Sequence, residues 1–275
     1  MKVQFTKIQA ACNDYIYVEE TAYAGVPENL AKRMSARHFS VGADGLVLIG
    51  ESSIADARMR MFNADGSEGK MCGNAVRCVG KYLYDRGYVK KERITVETES
   101  GVKQLTLFPE GATVNAVSVL MGEALVQKNP LFLEAGGTVW EAYPVSVGNP
   151  HAVVFCPSVA QVPIKAIGPA FQSYSVFHDG VNVEFVQVIN PTLLSVRVWE
   201  RGSGETLACG TGACASAAAA VQNRFCRKDF PIRVQMPGGV LEVKEASEGG
   251  MVLTGRCETV YEGVYDDEDS HESGV

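Results

Sequence analysis

The chain contains one long internal duplication, and this restricts its fold more than any other feature. Residues 66–78 read GSEGKMCGNAVRC and residues 202–214 read GSGETLACGTGAC. Both pass from Gly-Ser through an acid to Cys-Gly and then into a helix-like segment. Cys72 and Cys209 lie 209 − 72 = 137 residues apart, half of the 275-residue chain. The residues ahead of each motif correspond too: Met61-Phe62-Asn63 and Val198-Trp199-Glu200 each end an apparent strand, and again 200 − 63 = 137. An earlier echo, offset by 136, sets Cys12-Asn13-Asp14-Tyr15-Ile16 against Gly148-Asn149-Pro150-His151-Ala152. Short-period repeats build solenoids. A single repeat at half the chain length predicts two similar domains related by a pseudo-twofold axis, with equivalent residues meeting at the domain cleft, a common place for ligands.

Periodicity supports this reading. Residues 57–62 (ARMRMF) alternate around Met59 and Met61, as a half-buried strand does, and Ser195–Trp199 alternates likewise. Tyr15–Val18, Ile94–Glu97, Leu105–Phe108, Ala152–Phe155, Val181–Val188 and Val240–Val243 are further strand candidates rich in β-branched residues. Ala75–Arg86 has apolar residues at helical spacing, with Gly87 as its stop. Gly212–Arg224 is mostly Ala and apolar almost all round, which predicts a buried central helix. Each half therefore reads as a mostly antiparallel sheet wrapped around one inner helix, an α+β fold with two pseudo-symmetric domains.

A net charge of −7 excludes the basic footprint of a nucleic-acid binder. No stretch reaches the roughly 18 apolar residues of a membrane span. The start, MKVQFTKIQAACND, lacks a signal-peptide apolar core, so the chain is expected to be cytoplasmic, without membrane or nucleic-acid partners. In that compartment the eight cysteines are expected to be reduced thiols rather than four disulfides. Cys72-x5-Cys78 and Cys209-x4-Cys214 do not match the C-x2-C knuckle of zinc sites, and no metal is expected. Cys78 and Cys214 fall inside the helices as core residues; Cys12, Cys156, Cys226 and Cys257 show no pattern that assigns them a role.

Cys72 and Cys209 each stand just before a helix. The first N–H groups of a helix have no internal partner and carry partial positive charge. A thiol there has its thiolate stabilised and becomes a usable base. The same N–H groups bind carboxylates, and Gly73 and Gly210 allow close approach to the backbone. With both helix starts around one substrate, two sulfurs flank an α-carbon from opposite faces. One thiolate removes the α-proton, the other thiol delivers a proton, and the N–H groups stabilise the charge spread into the carboxylate. Such an inversion needs neither metal nor cofactor. Taken singly, Cys-Gly before a helix also reads as a tight turn with a structural cysteine; the duplication favours the chemical reading.

MCGN-x-x-RC and ERG-x-GETLACGTGACA resemble the two signature blocks of the diaminopimelate epimerase family. FTK and Asn13-Asp14, GADGL, FNADGSE, GNPHAV and GVNVEFV complete the likeness from about Val3 to about Tyr261. The resemblance implies two domains, each a sheet barrel around a central helix: residues 1–117 with a returning C-terminal strand within 256–275, and residues 118–255. It implies catalytic Cys72 and Cys209, with His151 and Glu200 as auxiliary polar residues that accept or orient a thiol proton. It assigns substrate binding to Asn13, Asn63, Asn149, Asn182, Glu200 and Arg201, with Arg201 gripping the distal carboxylate and the asparagines donating to carboxylate and accepting from ammonium. Backbone groups of Gly73, Asn74, Gly210 and Thr211 hold the reacting carboxylate. The implied activity is cofactor-free epimerisation of L,L-diaminopimelate to the meso form in lysine biosynthesis, by a protein that is often a homodimer. A racemase of another amino acid with the same two thiols is the alternative. A thiol-redox or metal-binding protein is a reading of a different class, which predicts bound metal or a working Cys72–Cys209 disulfide. The sequence departs from the family at Ala10-Ala11-Cys12, where small glycines are usual and where the change alters the local turn, and at Ala75-Val76. The acidic end, DDEDSHES, reads as a solvated tail.

Overall fold

The computed structural model describes residues 1–178 and 180–267. The elements run β1 (Lys2–Ala10), β2 (Asn13–Glu19), α1 (Pro27–Ser35), β3 (Gly45–Gly50), β4 (Ala57–Asn63), β5 (Glu68–Gly69), α2 (Gly73–Asp85), β6 (Arg93–Thr98), β7 (Gly101–Glu110) and β8 (Thr113–Gly122). They continue with β9 (Leu125–Val126), β10 (Leu131–Ala135), β11 (Thr138–Ser146), β12 (Pro150–Phe155), α3 (Ile164–Gln172), β13 (Asn182–Asn190), β14 (Leu193–Glu200), β15 (Gly204–Thr206) and α4 (Gly210–Gln222). β16 (Ile232–Met236), β17 (Gly239–Glu245), β18 (Met251–Arg256) and β19 (Glu258–Asp266) follow. The chain divides into two compact units: Met1–Val119 with the chain from Arg256 on, and Leu120–Gly255. This is an α+β fold dominated by mostly antiparallel sheet.

Both units follow one plan. In the first, β1 pairs antiparallel with β2, β2 parallel with β3, β3 antiparallel with β4, β4 parallel with β6, and β6 antiparallel with β7. In the second, β11, β12, β13, β14, β16 and β17 repeat that series. β19 adds to β1 in the first unit, and β10 adds to β11 in the second. The offset of 137 places α1 on α3, β3 on β13 and α2 on α4.

The burial patterns follow from helices on both faces of each sheet. Gly45–Ile49 of β3 are buried without a break, because α1 packs on one face and α2 on the other; β13 is buried in the same way from Asn182 to Val186. Leu30, Ala31 and Met34 of α1 join Ile16, Val18, Leu46, Leu48 and Phe62 in one core. Ile164, Ile167 and Phe171 of α3 join Val154, Val183 and Phe185 in the other. The inner helices are enclosed by strand: residues 73–83 of α2 are all buried, as are nine of the thirteen residues of α4. Each fully buried Leu or Ile here stabilises the fold by about 2 kcal/mol. Alanine fills α4 because strands approach it from several sides and leave room only for methyl groups.

Two terminal features differ from expectation. Both inner helices begin two residues earlier than their apolar spacing indicates, at Gly73 and Gly210. The acidic end is not solvated throughout. Asp267 is fully buried, its carboxylate taking both Nε and Nη2 of Arg33 at 2.9 Å, and its backbone N–H donates to Met1 at 2.6 Å. A bidentate Arg partner and a backbone tie compensate its desolvation. Residues 268–273 of that expected tail lie outside the described residues. The turn at Ala11-Cys12 joins β1 to β2 as a two-residue hairpin with φ of +53° and +60°. Glycine or asparagine normally fills such a turn.

Candidate active site

In the first unit, Cys72 has extended geometry directly before α2, and its carbonyl accepts the Val76 N–H at 2.9 Å. Its thiol donates to Asn13 Oδ1 at 3.4 Å and makes a hydrogen bond with the Tyr15 hydroxyl. Asn13 donates to Asp44 Oδ2 at 2.9 Å, and Arg37 joins Asp14 and Asp44 at 2.7 and 3.0 Å. Burial pushes the Asp14 carboxyl up, but hydrogen bonds from Lys7 and Arg37 outweigh it and hold the group below the usual carboxylate range. Burial, then the neighbouring Cys72 and Asp44, raise the Tyr15 phenol well above its ordinary value, so it remains a donor. Asn63 closes β4 and donates to Ser67 Oγ at 2.9 Å. Asn74 is buried, and its Oδ1 accepts from Arg77 Nη2 at 2.7 Å. Its side chain is thus committed inward, and the backbone of Gly73 and Asn74 forms the start of the helix.

In the second unit, Cys209 occupies the same place before α4. Its sulfur accepts the Gly212 N–H at 3.4 Å, lies 3.4 Å from Thr211 Oγ1, and takes a long contact of 3.9 Å from Asn182 Nδ2. The expected stabilised thiolate is not found here. Burial, followed by the charges of Glu200 and Glu184, pushes the Cys209 thiol well above its ordinary value, against the opposing bonds from Thr211 and Gly212. The helix start supplies partial positive charge, but two carboxylates in a dry site exceed it. Glu200 is itself raised, first by burial, while hydrogen bonds from Thr206 and Cys209 act the other way. Cys209 and Glu200 therefore form a thiol–carboxylate pair.

His151 is buried with both ring nitrogens engaged: Nδ1 lies 2.8 Å from Glu184 Oε1 and Nε2 lies 3.1 Å from Asn149 Oδ1. Two oxygen acceptors at one ring are satisfied together by the imidazolium form, with Glu184 as its counter-charge. Asn149 also donates to Thr211 Oγ1 at 3.4 Å, which ties this chain to the first turn of α4. Asn182 is buried and accepts the Arg201 backbone N–H at 2.9 Å, fixing the chain where the exposed Arg201 begins the β14–β15 turn. Asn13, Asn149 and Asn182 thus each spend polar atoms on positioning neighbouring groups.

The sequence reading missed Glu184 and Tyr15. Glu184 is fully exposed to neither water nor a second donor: Oε1 holds His151, and Oε2 has no hydrogen-bond partner among the described residues. It lies beneath the first turn of α4, where a methyl at Gly212 would sit 2.6 Å from Oε1. The available signal was an acid interrupting the apolar run Val181–Val186. Strand register shows where the duplication diverges. Tyr15 pairs with Gly45, and His151 pairs with Asn182. Tyr15, Val47 and Asn63 thus stand where the second unit has His151, Glu184 and Glu200. The acids around a thiol belong to the second unit. Among the described residues, no cluster of three or more His, Cys, Asp or Glu is placed to hold a metal ion. No helix among them is long and apolar enough to cross a membrane.

Residues 5–126 and 143–260 match the profile of the family described as Diaminopimelate epimerase. The diaminopimelate epimerase of Parabacteroides distasonis is 47 % identical over 263 residues, covering 95 % of this chain and 97 % of that protein. That of Desulfovibrio desulfuricans is 44 % identical, with 96 % and 98 % covered. Among solved structures, a probable proline racemase from Agrobacterium radiobacter superposes with a TM-score of 0.72 at 17 % identity, covering 96 % of this chain and 92 % of that one. A hydroxyproline epimerase from Agrobacterium vitis, with bound trans-4-hydroxy-L-proline, gives 0.70 at 14 % identity with the same coverage. At such identities these two structures establish a shared fold.

Proposed function

The chain belongs to the diaminopimelate epimerase family and is an amino-acid epimerase; we propose on that premise that it interconverts L,L- and meso-diaminopimelate by a cofactor-free, two-thiol mechanism. The observation that carries the reading is the placement of Cys72 and Cys209 as equivalent residues at the starts of the two inner helices. One thiolate takes the α-proton and the C–H electron pair passes into the substrate carboxylate. The other thiol gives its proton to the opposite face of the same carbon, so one proton leaves and one arrives. Backbone N–H groups of Gly73, Asn74, Gly210 and Thr211 stabilise the charge on the carboxylate, being fixed before the reaction starts.

Cys209, kept protonated by its surroundings, suits the donor role in the direction where Cys72 is the base. In the reverse direction Glu200 accepts the Cys209 proton, and the thiolate so formed attacks the α-hydrogen. His151, set by Glu184 and Asn149, supplies positive charge that favours ionised groups around it. Arg201 pairs with the distal carboxylate, and Asn13, Asn63, Asn149 and Asn182 fix the amino-acid groups and the side chains that meet them. A cytoplasmic location and a homodimer accord with the family.

The test is incubation of reduced protein with L,L-diaminopimelate in D2O without added cofactor. Meso isomer carrying deuterium at the inverted carbon is expected. Folded, reduced protein that neither inverts nor exchanges would reject the substrate. Cys72→Ala and Cys209→Ala should each abolish inversion, and retained turnover in either refutes the two-thiol mechanism.

A further inference from the structure

Cys78 and Cys257 belong to the first unit, and neither takes part in the proposed reaction. Cys78 lies in the second turn of α2, and Cys257 is the single non-strand residue between β18 and β19. Both are buried, and the two thiols are hydrogen-bonded to each other although 257 − 78 = 179 positions separate them in the chain. The backbone of Cys257 is fixed by its N–H donating to Asn115 at 3.1 Å.

Arg77 explains why this pair is unlike the other buried cysteines. Its guanidinium is fully buried and donates to Gly73 O at 3.2 Å, Asn74 Oδ1 at 2.7 Å, Arg256 O at 3.4 Å and Cys257 Sγ at 3.9 Å. No carboxylate pairs with it among the described residues. A buried cation with only neutral oxygens around it is costly and favours an anion within reach. The hydrogen bond from Cys78, then Arg77 and Lys81, lower the Cys257 thiol, while burial and the same shared proton raise Cys78. The pair is therefore a thiolate–thiol couple, whereas the buried Cys226, with no such neighbour, is pushed up to about 11.

We propose that Cys78 and Cys257 are an oxidisable dithiol, a modification site that a hydroperoxide closes to an intramolecular disulfide tying α2 to the chain entering β19. The Cys257 thiolate attacks one peroxide oxygen, the O–O bond breaks, and hydroxide leaves a sulfenic acid. The Cys78 sulfur then attacks the Cys257 sulfur. The S–O bond breaks, the S–S bond forms, and water leaves with the Cys78 proton. The two sulfurs together lose two electrons and the peroxide gains them. Closure removes the anion beside Arg77, the side chain that also holds Gly73 and Asn74 at the start of α2.

Trypsin reads the outcome directly, because it cuts after Arg77, Lys81 and Arg256. Cys78 then lies in the fragment 78–81, Cys257 opens the C-terminal fragment, and Cys72 falls in the separate fragment 71–77. The reduced full chain is treated with hydrogen peroxide, blocked with iodoacetamide in denaturant, digested and weighed. The expected product is the 78–81 fragment joined to the Cys257 fragment, lost on adding dithiothreitol and formed at least tenfold faster than Cys226 is oxidised. Cys257→Ser should abolish it. Recovery of both fragments separately, as alkylated thiols or as sulfinic acids, overturns the proposal, as does a link from either cysteine to a different partner. The wild-type digest decides the matter even if the variant fails to fold, and a protein inactive on diaminopimelate still gives a clear answer.

Discussion

Replacing Gly212 by Ala tests the placement of Glu184 under α4. The added methyl would lie 2.6 Å from Glu184 Oε1 and 3.2 Å from Cys209 Cβ. An ordinary contact is near 3.4 Å, so the carboxylate oxygen must recede by 3.4 − 2.6 = 0.8 Å. That oxygen holds His151 Nδ1 at 2.8 Å, and a shift of this size breaks the bond. Losing a buried hydrogen bond to a charged group costs about 1.5–3 kcal/mol. Alanine in place of glycine within a helix returns about 1 kcal/mol. The net expectation is a loss of about 0.5–2 kcal/mol, together with a fall in kcat, because His151 and the first turn of α4 shift together. Both tryptophans, Trp140 and Trp199, lie in the unit that contains α4. Urea unfolding followed by tryptophan fluorescence therefore reports on the affected unit. A variant as stable as the parent, or more stable by the helix-propensity gain, refutes the packing argument.

The other predictions use different measurements. Folding raises the Glu200 carboxyl above its ordinary 4.5, so the folded state holds the proton more tightly; stability should fall as pH rises from 4.5 through the folded value, and Glu200→Gln should flatten that limb of a stability–pH curve. The Cys209 thiol is likewise raised well above 9.0, so wild type should lose more stability than Cys209→Ala as pH climbs past 9.0, read from urea midpoints. Ala11→Gly and Cys12→Gly should each raise stability by about 1 kcal/mol in thermal unfolding, because both residues occupy the left-handed region; an unchanged or lowered midpoint contradicts the strain argument. Arg201→Ala should raise the KM for diaminopimelate with a smaller effect on kcat, and an unchanged KM removes Arg201 from the distal carboxylate.

The repeat also yields a comparison between the two helix ends. Gly87 follows α2 with φ of +77°, and Arg224, 224 − 87 = 137 residues later, follows α4 with φ of +61°. The local rule that glycine ends a helix identified the first stop. It gave no sign of the second, where the fold imposes the same backbone on an arginine. Asn63 and Glu200 likewise share a place in the repeat, but only the acid stands beside a buried thiol whose ionisation it alters.

The sequence alone determined the duplication, the alternating strands, the two inner helices and the thiols before them. All of these are written in contiguous residues through side-chain periodicity, backbone preference and repetition. Tertiary structure decided which charges meet. Glu184 reaches the first turn of α4 through strand register, Asp267 is buried by Arg33 from 234 residues away, and Cys257 meets Cys78 across 179. It also reversed the expected ionisation of Cys209. A helix start acts on a thiol through its own few N–H groups, whereas burial and the two carboxylates depend on how distant parts of the chain pack around it.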